Sequence, residues 1–504
     1  MKNQIKFGVI LGYVNMFVAI IVTLVYTPTM LRLMGQSEYG LYALVASVIG
    51  YLSVLDMGFG NSMIRFVSRS KAKTEKKMEN KINGLFLFLY SIIGIIALLI
   101  GFILFLNVGN IFQALTPSEI AKAKIIMAIL VGTVAISFPL SIFDSYVIAS
   151  EKFTYIKVLN LIQTVAIPLI MLPLLMWGYK SIAMVIVTST FTIAFHLFNL
   201  YYCFSKLNMK ISFSFKNIDK TLLKEVLTYS FFIFLNLIVD SLYANTDQVI
   251  LGAVSGTAAV SVYAIATKIS NMNTSFSTNI SGLFFPRITK TLEEKDGDKK
   301  VSDIFIKVSR IQLYILAMIL FGFIIFGKSF ILLWIGQDYI DVYYILLILL
   351  IPGIVPLTQN IGISILQAKN MHKFRSVIYI LIALLNIAVS IPLAIRYAGI
   401  GAAIGTAMAT FLGQILTMNI YYYKKGKIDI PRYWKHFIKF MLPLTIFSIF
   451  VVSFDFILSW IQLIIFGFMF VCLYLVYAYF HTNEQEKQYI TNFINKLKRK
   501  NKII

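Results

Sequence analysis

Apolar runs of about 20 residues recur from one end of the chain to the other, and each is long enough to cross roughly 30 Å of hydrocarbon as an α-helix. A helix satisfies its own backbone polar groups in lipid, whereas a β-barrel would show short alternating segments. The runs lie near residues 7–31, 41–64, 83–107, 124–148, 158–178 and 182–204. They continue near 226–251, 257–283, 311–335, 341–366, 376–395, 399–423, 437–455 and 459–480. The pattern predicts an all-α integral membrane protein with about 14 transmembrane helices. The first run follows Lys2 and Lys6, is too long for the apolar part of a signal peptide and shows no small-residue cleavage site, so it is expected to be a retained span.

Composition agrees: 59% of the residues are hydrophobic, 13% are charged, and the mean hydropathy is +0.82. A net charge of +23 would suit nucleic acid, but the basic residues alternate by loop. Most of the 45 Lys and Arg follow the even-numbered spans, in segments such as Arg65–Lys81, Lys206–Lys224, Arg287–Arg310 and Lys424–Lys439. That is the positive-inside pattern and predicts both termini in the cytoplasm. The charge then needs no nucleic acid, although such loops are attracted to anionic lipid headgroups. Cys203 and Cys472 sit in apolar runs without paired-ligand spacing, which suggests buried thiols rather than a disulfide or a metal site. The four histidines likewise show no metal or triad spacing.

The chain repeats itself at a shift of 221 residues: "IGFILF" at 100 returns as "FGFIIF" at 321, and "LYAL" at 41 as "VYAI" at 262. Asn15 and Asn236, and Gly178 and Gly399, share that shift. "NLYYC" at 199 and "NIYYY" at 419 fall close to it. Spans 1–6 would therefore repeat as spans 7–12. Because six is even, both copies enter the membrane in the same direction, which implies two pseudo-symmetric lobes about an axis along the membrane normal, facing a central cleft. The expected layout is an N-terminal lobe at 1–205, a cytoplasmic linker at 206–225, a C-terminal lobe at 226–424, two extra spans at 425–480 and a basic amphipathic cytoplasmic tail at 481–504.

Polar residues inside spans are costly, by on the order of 3 kcal/mol for a charge at mid-bilayer, and so are expected to face a cavity or a partner. Asn236, Asp240, Tyr243 and Asp247 fall on one face of span 7, and Lys268, Asn271, Ser275 and Asn279 on one face of span 8. Span 1 carries Asn15 and Tyr26, and span 2 carries Ser53, Asp56 and Asn61 with Arg65 at its cytoplasmic end. Plainer readings stand beside the polar cleft. Arg65 would serve as an interfacial anchor, Lys268 as the partner of Asp240 or Asp247 in a structural pair, and the Asn and Ser side chains as hydrogen-bonding glue between helices. Gly58 and Gly60 permit close packing or a bend. Asp144 is a candidate on a more peripheral helix.

The stretches "LVYTPTMLRLMGQSEYGLYAL", "LDMGFGNSMIRFVSR", "NTDQVILG" and "VYAIATKI" resemble the Wzx-like polysaccharide flippases of the multidrug/oligosaccharidyl-lipid/polysaccharide superfamily, a likeness running from span 1 through span 12. That resemblance implies movement of undecaprenyl-pyrophosphate-linked sugar repeat units across the bacterial plasma membrane, and no enzymatic reaction. It implies that Lys268, Arg65 and Arg32 would hold the phosphates, with Asn15, Asn236 and Asn271 lining the cleft. Asp240 and Asp247 would bind a driving Na⁺ or H⁺, and Asp56 would line or gate the path. No other cofactor is implied. The partners implied are the lipid-linked oligosaccharide, membrane lipids, and glycan polymerase and glycosyltransferases of the same pathway.

Two other functions compete. A multidrug or cation antiporter of the same superfamily would favour an acidic cavity, against which Lys268 argues. A membrane polysaccharide polymerase or ligase would carry a large external loop with clustered catalytic side chains, whereas the outer loops are short.

Overall fold

The structure, a computed structural model, describes residues 2–212, 220–369, 371–454 and 456–482; the side chains of residues 2–10, 232, 236, 372 and 373 lie outside that description. The basic amphipathic tail beyond residue 482 and the side chain of Asn236 therefore lie outside the described residues. Among the described residues there are helices and no strand.

The chain runs through α1 (Lys2–Met34), α2 (Gln36–Leu52), α3 (Phe59–Ala72), α4 (Lys76–Ile111), α5 (Pro117–Ala149), α6 (Phe153–Met176) and α7 (Ser181–Ser205). After the linker come α8 (Lys220–Val254), α9 (Gly256–Gly282), α10 (Phe285–Leu292), α11 (Gly297–Trp334), α12 (Asp341–Thr358) and α13 (Ile361–Ala368). The last are α14 (His372–Ala409), a π-helical stretch Thr410–Thr417, α15 (Met418–Lys424), α16 (Ile430–Val452) and α17 (Trp460–His481).

Among the described residues, twelve helical stretches are long and apolar enough to cross a bilayer. One of them, Phe374–Lys424, has the length of two spans and is divided at Ala398, whose φ of 46° and ψ of −128° interrupt α14. With α9, whose 27 residues are long enough but rich in Ser, Thr and Asn, the spanning helices among the described residues number fourteen, as the hydropathy pattern predicts. The outer surface is apolar, as lipid requires: Phe17, Ile21 and Val25 on α1 are 58%, 60% and 68% exposed. This is a multi-pass membrane protein.

Two expected spans are broken. Span 2 ends as α2 at Leu52, passes through a 3₁₀ turn at Ser53–Asp56 and restarts as α3 at Phe59. Met57 and Gly58 at the break have φ of 51° and 72°. Glycine adopts this left-handed backbone without penalty, while a non-glycine residue gives up about 1–2 kcal/mol there. Span 10 is likewise divided between α12 and α13, around a Gln359 that is 2% exposed.

The 221-residue shift recurs in the backbone. Gly35 and Gly256, each opening the next helix, have φ of 84° and 82°. Gly178 between α6 and α7 has φ of 87°, and its counterpart turn in α14 falls at Ala398, one residue before Gly399.

The helices form two compact units. One comprises the described residues up to Thr267 together with Ser376–Ala409, and the other comprises the described residues of 268–375 and those from Thr410. In the first, α3, α4 and α5 share a core around Phe59, which packs edge-on to Phe86 and Tyr90 at 6.0 and 5.9 Å between ring centroids.

Candidate functional site

Asp247 lies on α8 and is 5% exposed. A carboxylate in that setting needs donors, and three helical segments of the first unit provide them. Tyr263 of α9 donates its hydroxyl, Thr406 of α14 donates at 2.6 Å, and the Asn386 amide of α14 donates at 3.3 Å. A second layer of hydrogen bonds holds these donors in place. Asn386 Oδ1 accepts from Ser390 at 2.7 Å and lies 3.3 Å from the Thr406 hydroxyl, and Ser390 lies 3.3 Å from the Ala402 carbonyl. The Asp247 carboxylate is thus held by three donated hydrogens, so it can take up a proton or a hard cation only where those donors turn aside and present their oxygens. Sequence reasoning singled out Asp247 and missed Asn386, Ser390 and Thr406. The signal available was the i, i+4 pair Asn386–Ser390 in span 11, too sparse to stand out as a stripe.

Asp240 is exposed, and Tyr243 is half-buried with its ring 6.0 Å from that of Tyr379. On α9, Asn271, Ser275 and Asn279 are exposed and Lys268 is half-buried. The opposite face of α9 packs inward: Ser277 and Ser281 are buried against Gln312, whose amide donates to the Ser277 carbonyl at 2.9 Å and to the Ser281 hydroxyl at 2.8 Å.

Asp56 occupies the break in span 2. It accepts from the Tyr90 hydroxyl at 2.7 Å, with the backbone amides of Gly58 and Gly60 turned toward it. It therefore caps the positive end of the half-helix α3. Arg65, two turns along, is exposed, and its guanidinium lies 4.3 Å from the centre of the Tyr229 ring. Arg69 beside it pairs with Glu225 at 3.3 Å. Arg32 is exposed in the last turn of α1. Asn15 donates to the Lys157 carbonyl at 2.9 Å and so ties α1 to α6, the part of glue between helices. Asp144 is bound by His196 at 2.9 Å and Asn199 at 2.6 Å, joining α5 to α7.

The second unit carries an apolar groove of about 690 Å³ between α11, α16 and α17, walled by Phe326, Leu444, Phe447, Phe470 and Leu473.

The spanning helices of the described residues have a fold found in known membrane transporters. It resembles the structure described as "Lipid II flippase MurJ, inward closed conformation", with a TM-score of 0.72, 16% identity, and coverage of 94% of this chain and 97% of that one. It also resembles an inward-facing multidrug resistance MATE family transporter of the MOP superfamily, with a TM-score of 0.60, 14% identity, and coverage of 81% and 99%. The chain belongs to the polysaccharide biosynthesis protein family, whose model matches residues 7–292. Two relatives are each named "Putative O-antigen transporter". That of Shigella flexneri is 21% identical over 419 residues, 81% of this chain and 96% of the relative. That of Escherichia coli (strain K12) is 28% identical over 203 residues, 40% of this chain, so the match spans about half of that relative's length.

Proposed function

We propose that this protein is a flippase that carries undecaprenyl-pyrophosphate-linked oligosaccharide repeat units across the bacterial plasma membrane for surface polysaccharide assembly. Membership of the polysaccharide biosynthesis family carries the reading, and the naming of the Shigella flexneri relative over almost its full length supports it. The chemistry of such a cargo asks for three environments: a polar route for the glycan, cations for the diphosphate, and an apolar surface for the lipid. Lys268, Arg65 and Arg32 are the cations, and the groove between α11, α16 and α17 suits the prenyl chain. The oxygens around Asp247 are the site for the coupling Na⁺ or H⁺.

In this reading both termini are cytoplasmic, two pseudo-symmetric lobes alternate between inward and outward access, and the chain works beside glycosyltransferases and a glycan polymerase. The MATE-type fold keeps a multidrug antiporter as the second reading. Deleting the gene and analysing the lipid-linked glycans separates the two. A flippase leaves repeat units on the cytoplasmic leaflet, restored to export by the intact chain. A strain with unaltered glycan and new sensitivity to cationic drugs would establish the antiporter.

A further inference from the structure

A basic pocket of about 490 Å³ lies where α10 meets the start of α11, lined by none of the residues placed in the candidate site. Its walls carry Arg287, Lys290, Lys300 and Lys307, with Glu294 and Asp303. Both carboxylates already have partners: Lys300 is 2.8 Å from Glu294, and Arg432 of α16 is 2.6 Å from Asp303. The hydrogen bond and charge of Lys300 hold Glu294 below the usual carboxylate range, with smaller contributions from Lys290 and Arg287. Glu294 thus stays ionised and engaged at neutral pH, and four cations against two carboxylates leave the pocket positive.

The local sequence explains how the cations come to face outward. Pro286 sits in the first turn of the eight-residue α10, Ile288 and Thr291 turn inward at 0% and 7% exposure, and Arg287 and Lys290 are left on the open side. Just before them, Leu283 and Phe285 are 64% and 41% exposed. A site for a soluble anion needs only the cations; exposed apolar side chains beside them suit acyl chains. Depth agrees. The 38 residues of α11 measure about 57 Å, well beyond the roughly 30 Å hydrocarbon core. Its apolar run begins after Arg310, so Lys307 stands about one turn outside the core, among headgroups.

We propose that this pocket binds the phosphate headgroup of an anionic phospholipid in the leaflet it faces, with Arg287 and Lys290 as the principal contacts and Leu283 and Phe285 against the acyl chains. The test is binding of short-chain phosphatidylglycerol to the detergent-solubilised full chain, with short-chain phosphatidylcholine and inorganic phosphate as comparison probes. The double variant Arg287→Gln/Lys290→Gln should bind phosphatidylglycerol about tenfold more weakly. Lys299→Gln/Lys435→Gln, which removes two exposed charges outside the pocket, should change binding by less than about twofold. Equal weakening in both pairs would reduce the effect to general surface charge, and unchanged binding in the pocket pair would remove the site. Competition by inorganic phosphate as strong as by lipid would make it a soluble-anion site instead. If the double variant does not fold, Lys290→Gln alone carries the test, with Lys290→Arg expected to retain binding.

Discussion

Gly40 and Thr257 bring α2 and α9 into backbone contact: a Cβ on Gly40 would stand 1.8 Å from the Thr257 carbonyl oxygen. Thr257 is held in turn by Glu119 of α5, to which its hydroxyl donates at 2.7 Å. Further along α2, Ser47 donates to Gln248 and Tyr51 lies 2.7 Å from the Thr246 hydroxyl, so α8 shares the closure.

In the proposed orientation this crossing lies at the outer ends of the helices, and under the flippase reading its opening would admit the outside. Gly40→Val should therefore push the helices apart, at more than the about 1–3 kcal/mol typical of overpacking, because the clash is with backbone. In a background with Cys203 and Cys472 replaced, a cysteine at Ser47 should react with a membrane-impermeant maleimide faster in Gly40→Val than in its parent. Equal labelling rates would show that the crossing does not gate access.

Asp247 presents a different demand, because Tyr263, Asn386 and Thr406 all point hydrogens at it. Asp247→Leu would strand three donors, at about 1–3 kcal/mol each, and is expected to accumulate poorly. Asp247→Asn keeps the shape while removing the charge, so it should reach the membrane at near-normal level and lose at least about tenfold in glycan export. The unfolding temperature of the parent should rise with the coupling cation, since a ligand at about 100 times its Kd adds about 2.7 kcal/mol. In Asp247→Asn that rise should vanish. A cation response that survives the substitution would place the ion elsewhere.

The break in span 2 offers a stability test that does not depend on function. A Cβ at Gly58 would lie 2.5 Å from Ile233, and its φ of 72° disfavours any side chain. Gly58→Ala should lower stability by both terms. Ile233→Ala opens the space, so the double variant should recover part of the loss, with a coupling of about 0.5–3 kcal/mol in a double-mutant cycle. Simple additivity would show that backbone strain alone accounts for the glycine.

The helix count was legible because hydrocarbon leaves a spanning chain few ways to satisfy its backbone, so apolar run length alone reports a span. The breaks at Met57–Gly58 and Gln359–Asn360 were not, since the apolar pattern runs on across both. Asp247 stood out as a charge in a span, yet its partners Asn386 and Thr406 come from spans far along the chain and are brought to it by packing alone. Asn15 shows the reverse difficulty. A polar residue in a span looks the same whether it meets cargo or, as here, a neighbouring carbonyl.

Lys268 carries the most specific consequence of the flippase reading. It is half-buried on α9, ahead of the exposed Asn271 and Ser275 on the same stripe. If it holds the cargo diphosphate, Lys268→Ala should abolish export while protein level and unfolding temperature stay near normal, because removing a charge lowers the insertion cost. Lys268→Arg should keep part of the activity, since the charge remains although the guanidinium meets phosphate in a different geometry. If instead the lysine completes a structural ion pair, alanine would leave a buried carboxylate uncompensated. The variant would then unfold several degrees earlier and reach the membrane in reduced amount, and arginine would restore level and export together. Measuring membrane level, unfolding temperature and lipid-linked glycan export in the same three strains separates the roles. Normal export by Lys268→Ala would remove this residue from the phosphate path.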